Sequence, residues 1–219
     1  MLSLDNILVL KGGVKVLNIK NSSFDFSKRY LIHGKTGSGK TTLFDLMSGV
    51  EKPVQGDVIV DDLSLYNSGF MELSLLRKKM GVMYDVPGLI SNQNIYENIR
   101  LAVNSKKIQF DQSLKDVLFS KYLRRFDLCD HLNSRPGVLS LDQKRIVSFI
   151  RAVISQPEFL IFDGFSEFVL GPYKSIILNI LDELKEKSVG GVFICRENFN
   201  IGMKFDSVLE LKDGDLYEQ

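Results

Sequence analysis

The chain has 219 residues, of which 28 are Lys or Arg and 27 Asp or Glu, for a formal net charge of +1. With 44% hydrophobic and 25% charged residues it has the composition of a folded soluble domain, which excludes a disordered chain. The lack of a basic excess argues against a general nucleic-acid binder, so no nucleic-acid partner is expected. Cys129 and Cys195 stand far apart without C-x-x-C spacing, which points to a reducing compartment and to neither a disulfide framework nor a zinc site. Met1-Leu2-Ser3-Leu4-Asp5-Asn6 has no basic start leading into an apolar stretch, so it does not read as a signal peptide. No run of about 18 apolar residues could span a membrane, and the expectation is a cytoplasmic chain.

Short apolar runs predict strands at 7–10, 30–33, 58–60, 81–84, 159–162, 192–195 and 208–211. Helical stripes follow from Leu114, Val117, Leu118, Tyr122 and Phe126, from Ile146, Phe149, Ile150, Val153 and Ile154, and from Ile176, Ile177, Ile180, Leu181 and Leu184. Strands alternate with helices at both ends, while residues from about 90 to 155 read as mostly helical. Such alternation implies a mostly parallel sheet covered by helices. Near the end, Asp213-Gly214 predicts a tight turn between a strand and a short return strand. No linker, repeat or low-complexity tract divides the chain, so one domain is expected.

The strongest chemical signal is Gly34-Lys35-Thr36-Gly37-Ser38-Gly39-Lys40-Thr41, followed by Thr42. It fits G-x-x-x-x-G-K-[ST], follows the apolar run Tyr30-Leu31-Ile32-His33, and precedes a helix carrying Leu43, Phe44, Leu46 and Met47. Glycines let backbone N–H groups turn inward around a polyphosphate, and the helix N-terminus adds partial positive charge. Lys40 can reach the outer phosphates, and the Thr41 hydroxyl can ligate Mg²⁺. Among such proteins a GTPase should carry Asn/Thr-Lys-x-Asp, and none is present.

Further segments, in order, resemble the ATP-binding-cassette (ABC) ATPases over nearly the whole chain. Gly56-Asp57-Val58-Ile59-Val60-Asp61 is similar to the family's G-x-I-x-x-D/G, and Leu76-Arg77-Lys78-Lys79-Met80-Gly81 to its LRR-x-IG. Asn94-Ile95-Tyr96-Glu97-Asn98-Ile99 resembles T-V-x-E-N-I, and Leu139-Ser140-Leu141-Asp142-Gln143-Lys144-Arg145 stands in the place of the LSGGQ signature. Phe159-Leu160-Ile161-Phe162-Asp163 resembles a Walker B strand ending in its Asp. The nearest type is the small stand-alone subunit serving cell-division, lipid-trafficking and lipoprotein-release permeases. The resemblance implies an α/β P-loop fold with a mostly parallel core sheet, an N-terminal antiparallel β-subdomain and an inserted helical subdomain. It further implies a core at about 1–86 and 156–219, with helices at about 87–155. ATP and Mg²⁺ are the expected ligands, with Thr41 and Asp163 on the metal.

The same comparison shows where the catalytic parts depart from the family. Gly164 stands where a Glu polarises the attacking water, Asp85 where the Q-loop Gln stands, and Arg196 at the switch His. In the signature, Ser140 and Gln143 remain while the glycines become Leu141 and Asp142, and Leu170 replaces the D-loop Asp. Ser140-x-x-Gln143 also reads as a capping box for the following helix. Leu10, Lys11 and Gly12 stand where an adenine-stacking aromatic is expected, and His33 and His131 read as surface or helix-capping groups. The resulting expectation is a degenerate ATP-binding subunit with weak or absent hydrolysis. It would sit on the inner membrane face, docked on an integral-membrane permease by a groove near 84–96, as a homodimer or with another ABC ATPase subunit. Two alternatives stay open: a non-transport ATP-binding scaffold, and an active ATPase with catalysis relocated to Asp85 or Glu167.

Overall fold

In the computed structural model of the chain, which describes residues 1–103, 116–196 and 201–219, strand β1 (Leu2–Lys11) shows how the first layer forms. Leu2 and Leu4 are buried, then Ile7 and Val9, so the inward alternation slips by one residue at Asp5-Asn6. The slip is a bulge: Asn6 takes φ 47°, and the pairing with β4 (Gln55–Val60) shifts between Asp5 and Leu8. Opposite the bulge, Gly56 has φ 85°, and a Cβ there would lie 2.3 Å from the carbonyl oxygens of Asp5 and Asn6. Only glycine fits. With β2 (Val14–Phe24) and β5 (Leu63–Ser64) these strands form an antiparallel sheet in the order β2-β1-β4-β5.

Among the described residues the second sheet has six strands in the order β10-β9-β3-β8-β7-β6: β3 (Arg29–His33), β6 (Met80–Met83), β7 (Phe159–Phe162), β8 (Gly191–Cys195), β9 (Ser207–Lys212) and β10 (Asp215–Glu218). Its pairings are parallel apart from the β9–β10 hairpin, whose turn carries Asp213 and Gly214 at φ 50° and 83°. A parallel sheet needs cover on both faces, and period-two burial divides its side chains between two cores. Tyr30, Ile32, Phe159, Ile161, Val192 and Ile194 meet the antiparallel sheet and α1 (Lys40–Met47). Leu31, Leu160, Phe162 and Phe193 point the other way. There they meet α3 (Ile95–Arg100), α4 (Leu141–Ile154), α5 (Phe165–Val169) and α6 (Lys174–Glu186). Helix α2 (Phe70–Lys79) runs into β6.

The stripes at 146–154 and 176–184 face the core as the periodicity predicts. Of the first stripe, Leu114 lies outside the described residues, whereas Leu118 and Phe126 are buried on a segment with a π-helical stretch, Leu118–Leu123. The capping box forms: the Gln143 amide N–H donates to Ser140 Oγ at 3.2 Å, and the Ser140 N–H donates to Gln143 Oε1 at 2.9 Å. Phe149 on α4 ties the helical region to the sheet, with ring centroids 5.4 Å from Phe168, 6.0 Å from Phe162 and 6.3 Å from Phe126. Phe149→Ala should cost about 3–5 kcal/mol and lower the melting temperature by roughly 10 °C. Calorimetry should show a single transition shifted as a whole, because the helices and the parallel sheet share one core.

Candidate nucleotide site

The loop from β3 to α1 carries the motif. Gly37 at φ 83° and Gly39 at φ 100° hold left-handed conformations that let the loop turn tightly ahead of α1. Gly34 lies so close to β9 that a Cβ would sit 2.4 Å from the Leu211 carbonyl oxygen. Lys40, the first residue of α1, donates from Nζ to the carbonyl oxygens of Gly34 (2.5 Å) and Lys35 (2.7 Å). Burial pushes its ammonium pKa down, against the opposing charge of Asp163. The Ser38 hydroxyl is buried inside this loop with no hydrogen-bond partner among the described residues.

The loop opens on a cavity of about 470 Å³ that is also lined by Asp85, Asp163, Gly164 and Arg196. Asp163 follows β7 directly and is only 9% exposed. Its Oδ1 accepts from the Gly164 N–H at 2.9 Å, and Thr41 Oγ1 donates to its Oδ2 at 3.4 Å. Burial, together with the negative charge of Asp85, holds the Asp163 carboxyl above its ordinary pKa. Thr41 and Asp163 thus present hard oxygen donors side by side, the donor chemistry that Mg²⁺ prefers. The orphaned Ser38 hydroxyl, the glycine-turned loop and Lys40 suit a polyphosphate beside it.

The sequence departures fall into three places. At the cavity, Gly164 has φ 62°, and its missing Cβ would lie 2.3 Å from Asp85 Oδ1, so the Asp85 carboxylate fills that space. Asp85 Oδ1 also takes a 3.3 Å contact from Arg145 Nη2 of α4. Arg196 is 67% exposed on its side chain and pairs with Glu167 Oε1 at 2.8 Å, while the Ser166 hydroxyl donates to Glu167 Oε2 at 2.6 Å. Glu167 does not line the cavity.

Away from the cavity, none of residues 139–143 reaches it. Leu141 and Leu170 are exposed, and Asp142 instead borders a shallow depression with Phe168 and Tyr173. At the N-terminal sheet, Leu10 and Lys11 lie on the exposed end of β1, and Gly12 turns into β2 at φ 58°. The apolar groups that do line the cavity are Ile194 of β8 and Val16, the latter on a strand the sequence did not reveal. His33 is half-buried at the end of β3 with Nε2 3.2 Å from Gln219 Oε1, and His131 ends a 3₁₀ turn, so neither caps a helix. Cys195 also lines the cavity, but burial raises its thiol pKa to about 12, which leaves it unreactive.

A phosphate-binding loop between strand and helix, at the carboxyl ends of a parallel sheet with a buried Asp nearby, defines a P-loop nucleotide-binding domain. The profile of the ABC transporter family matches residues 17–166, and the chain belongs to that family. The lipoprotein-releasing system ATP-binding protein LolD of Buchnera aphidicola is 29% identical over 189 residues, covering 85% of this chain and 81% of that protein. The methionine import ATP-binding protein MetN 1 of Bacillus cereus is 28% identical over 209 residues. This chain spans 60% of that relative's length. The energy-coupling factor transporter ATP-binding protein EcfA1 of Mesomycoplasma hyopneumoniae is 26% identical, with 93% of this chain and 74% of that protein covered. Among solved structures, the dimeric ATP-binding cassette MJ0796 bound to ADP and Pi superposes with a TM-score of 0.83 at 23% identity, covering 100% of this chain and 98% of its own. That last likeness shares the fold.

The raised Asp163 pKa means that its ionised form costs stability at neutral pH, because the folded chain binds that proton more tightly than the unfolded one. Asp163→Asn keeps the size and an oxygen acceptor for the Gly164 N–H while removing the buried charge. The nucleotide-free variant should melt at a higher temperature than the parent, and Mg²⁺ should no longer strengthen its nucleotide binding. Differential scanning calorimetry and titration with and without Mg²⁺ check both halves.

Proposed function

We propose that this chain is the ATP-binding subunit of an ABC-type membrane complex, coupling nucleotide state to an integral-membrane permease and hydrolysing slowly by itself. The observation that carries the reading is the buried Ser38 hydroxyl, unpartnered among the described residues, in a glycine-turned loop with Lys40 beside it and the Thr41–Asp163 pair next to it. Residues Gly34 to Thr42 would hold the triphosphate. Thr41 and Asp163 would hold Mg²⁺, which when bound neutralises charge on the phosphate oxygens.

Slow turnover follows from position 164, which offers no side chain to orient water. A positioned general base is worth ~10²–10⁴-fold in rate. Arg196 is ion-paired to Glu167, and a guanidinium can clamp a phosphate but does not do the proton-relaying work of an imidazole. Residues 139–143 lie away from their own chain's cavity, which supports pairing with a second cassette subunit, identical or different.

A groove of about 490 Å³ supports the permease contact. It is lined by Phe70, Leu73 and Arg77 of α2, Leu101 after α3, and Arg151 of α4; no residue of the segment 84–96 singled out by the resemblance lines it, although Arg151 donates to the Gly88 carbonyl oxygen at 2.8 Å. Phe70 is 87% exposed and Leu101 59%, with cations Arg77, Lys78 and Arg151 around them. Apolar side chains ringed by positive charge fit an amphipathic permease segment carrying an acidic residue. That contact would place the chain peripherally on the inner face of the membrane; among the described residues no helix is long and apolar enough to cross it.

Isothermal titration should show Mg-ATP uptake by the chain, about 100-fold weaker in Lys40→Ala, equivalent to roughly 3 kcal/mol of lost binding. No uptake at millimolar nucleotide, free or in its assembled complex, removes the reading. Phe70→Asp should leave ATP binding unchanged and abolish recovery of the chain with its permease from native membranes. Retention of ATP binding with no permease recovered from the parent would favour the scaffold reading instead.

A further inference from the structure

Two carboxylates compete for the role left open at position 164. Glu167 is spoken for: one oxygen is on Arg196 and the other on Ser166, and it stands outside the cavity wall. Asp85 lies in the wall, and its Oδ1 occupies the space that a Cβ of residue 164 would take, 2.3 Å from that point. Its Oδ1 is tethered by Arg145 at 3.3 Å, and among the described residues its Oδ2 has no partner. The two positions are therefore sterically coupled. A side chain at 164 would force Asp85 out of its present position.

We infer that Asp85, delivered by the loop after β6 into the space above Gly164, is the carboxylate that orients the attacking water in this site. The inference rests on the ATP-binding reading above and deepens it. The water oxygen bonds to the γ-phosphorus as the bond from that phosphorus to the β,γ-bridging oxygen breaks, its electron pair leaving with ADP. One water proton stays on the phosphate formed, and the other passes through the Asp85 carboxylate to solvent. Arg145 positions Asp85 through Oδ1 and leaves Oδ2 without a partner among the described residues. An Asp at the end of its own short side chain has less reach than a Glu projecting from 164, so turnover is retained but slow.

The test uses the purified full-length chain and three variants: Asp85→Asn, Gly164→Glu, and the double Asp85→Gly/Gly164→Glu. It reads the melting temperature without nucleotide, Mg-ATP affinity by titration, and single-turnover release of phosphate. Asp85→Asn should bind Mg-ATP within threefold of the parent and release phosphate at least tenfold more slowly. Gly164→Glu should melt lower than the parent and gain no turnover. Removing the Asp85 carboxylate in the double variant should recover part of the lost melting temperature and bring phosphate release to the parent rate or above. Parental turnover in Asp85→Asn overturns the proposal, as does a Gly164→Glu single variant that is fully stable and faster. A parent that binds Mg-ATP with no phosphate release also overturns it. Absence of Mg-ATP uptake by the parent overturns the binding reading as well, and the affinity readout separates that failure from the others.

Discussion

The site depends on β3 running through the interior of the parallel sheet, with β8 on one side and β9 on the other. A loop that must aim several backbone amides at one point cannot be held by its own hydrogen bonds alone; it needs a rigid strand before it and a helix after it. Both are present, and both are buried: Leu31 and Ile32 of β3 face opposite cores, and Leu43 and Phe44 anchor α1 between the two sheets. The close seat of Gly34 against the Leu211 carbonyl then fixes the loop to β9. Any side chain at 34 would lift the loop off that support.

Charge sets the character of what the loop holds. Lys40 and Arg196 bring positive charge to a cavity that Asp85 and Asp163 make negative on its other side. The balance is costly for half-buried Lys40 and buried Asp163: the Lys40 ammonium is pushed down and the Asp163 carboxyl up, each chiefly by desolvation. A triphosphate with a divalent cation offers Lys40 an anion and Asp163 a cation, so the same burial that strains the free site favours its ligand. Arg196 of the Arg196–Glu167 pair is largely exposed, so solvent weakens the pair and a bound phosphate can compete for the guanidinium, whereas the Asp85–Arg145 pair is half-buried.

Much of this was legible in the linear chain, and the misses have local causes. The all-buried strands at 159–162 and 191–195 announce themselves as unbroken apolar runs because both faces are covered. Strand β1 is seen only from residue 7, since the bulge at Asp5-Asn6 breaks its alternation. Strand β2 is missed because its second half, Lys20-Asn21-Ser22-Ser23, is polar on an edge that faces solvent. With it went Val16, one of the apolar residues that line the nucleotide cavity. Arg145 was visible as part of a motif, but nothing in its spacing pointed to Asp85, which is 60 residues away.

The order of residues alone determined the loop chemistry: glycines where the backbone must turn, a lysine and a hydroxyl where phosphate and metal bind, an acid at the end of an apolar strand. Those are local demands, satisfied within a few residues, so spacing is enough to show them. The folded chain decided which side chains share space across long separations. That Asp85 stands over Gly164, that Glu167 is turned aside to Arg196, and that residues 139–143 do not line their own cavity follow from packing β6 against β7, α5 against β8 and α4 across the sheet. Steric exclusion acts between neighbours in space, and neighbours in space are set by tertiary contacts that no spacing in the sequence encodes.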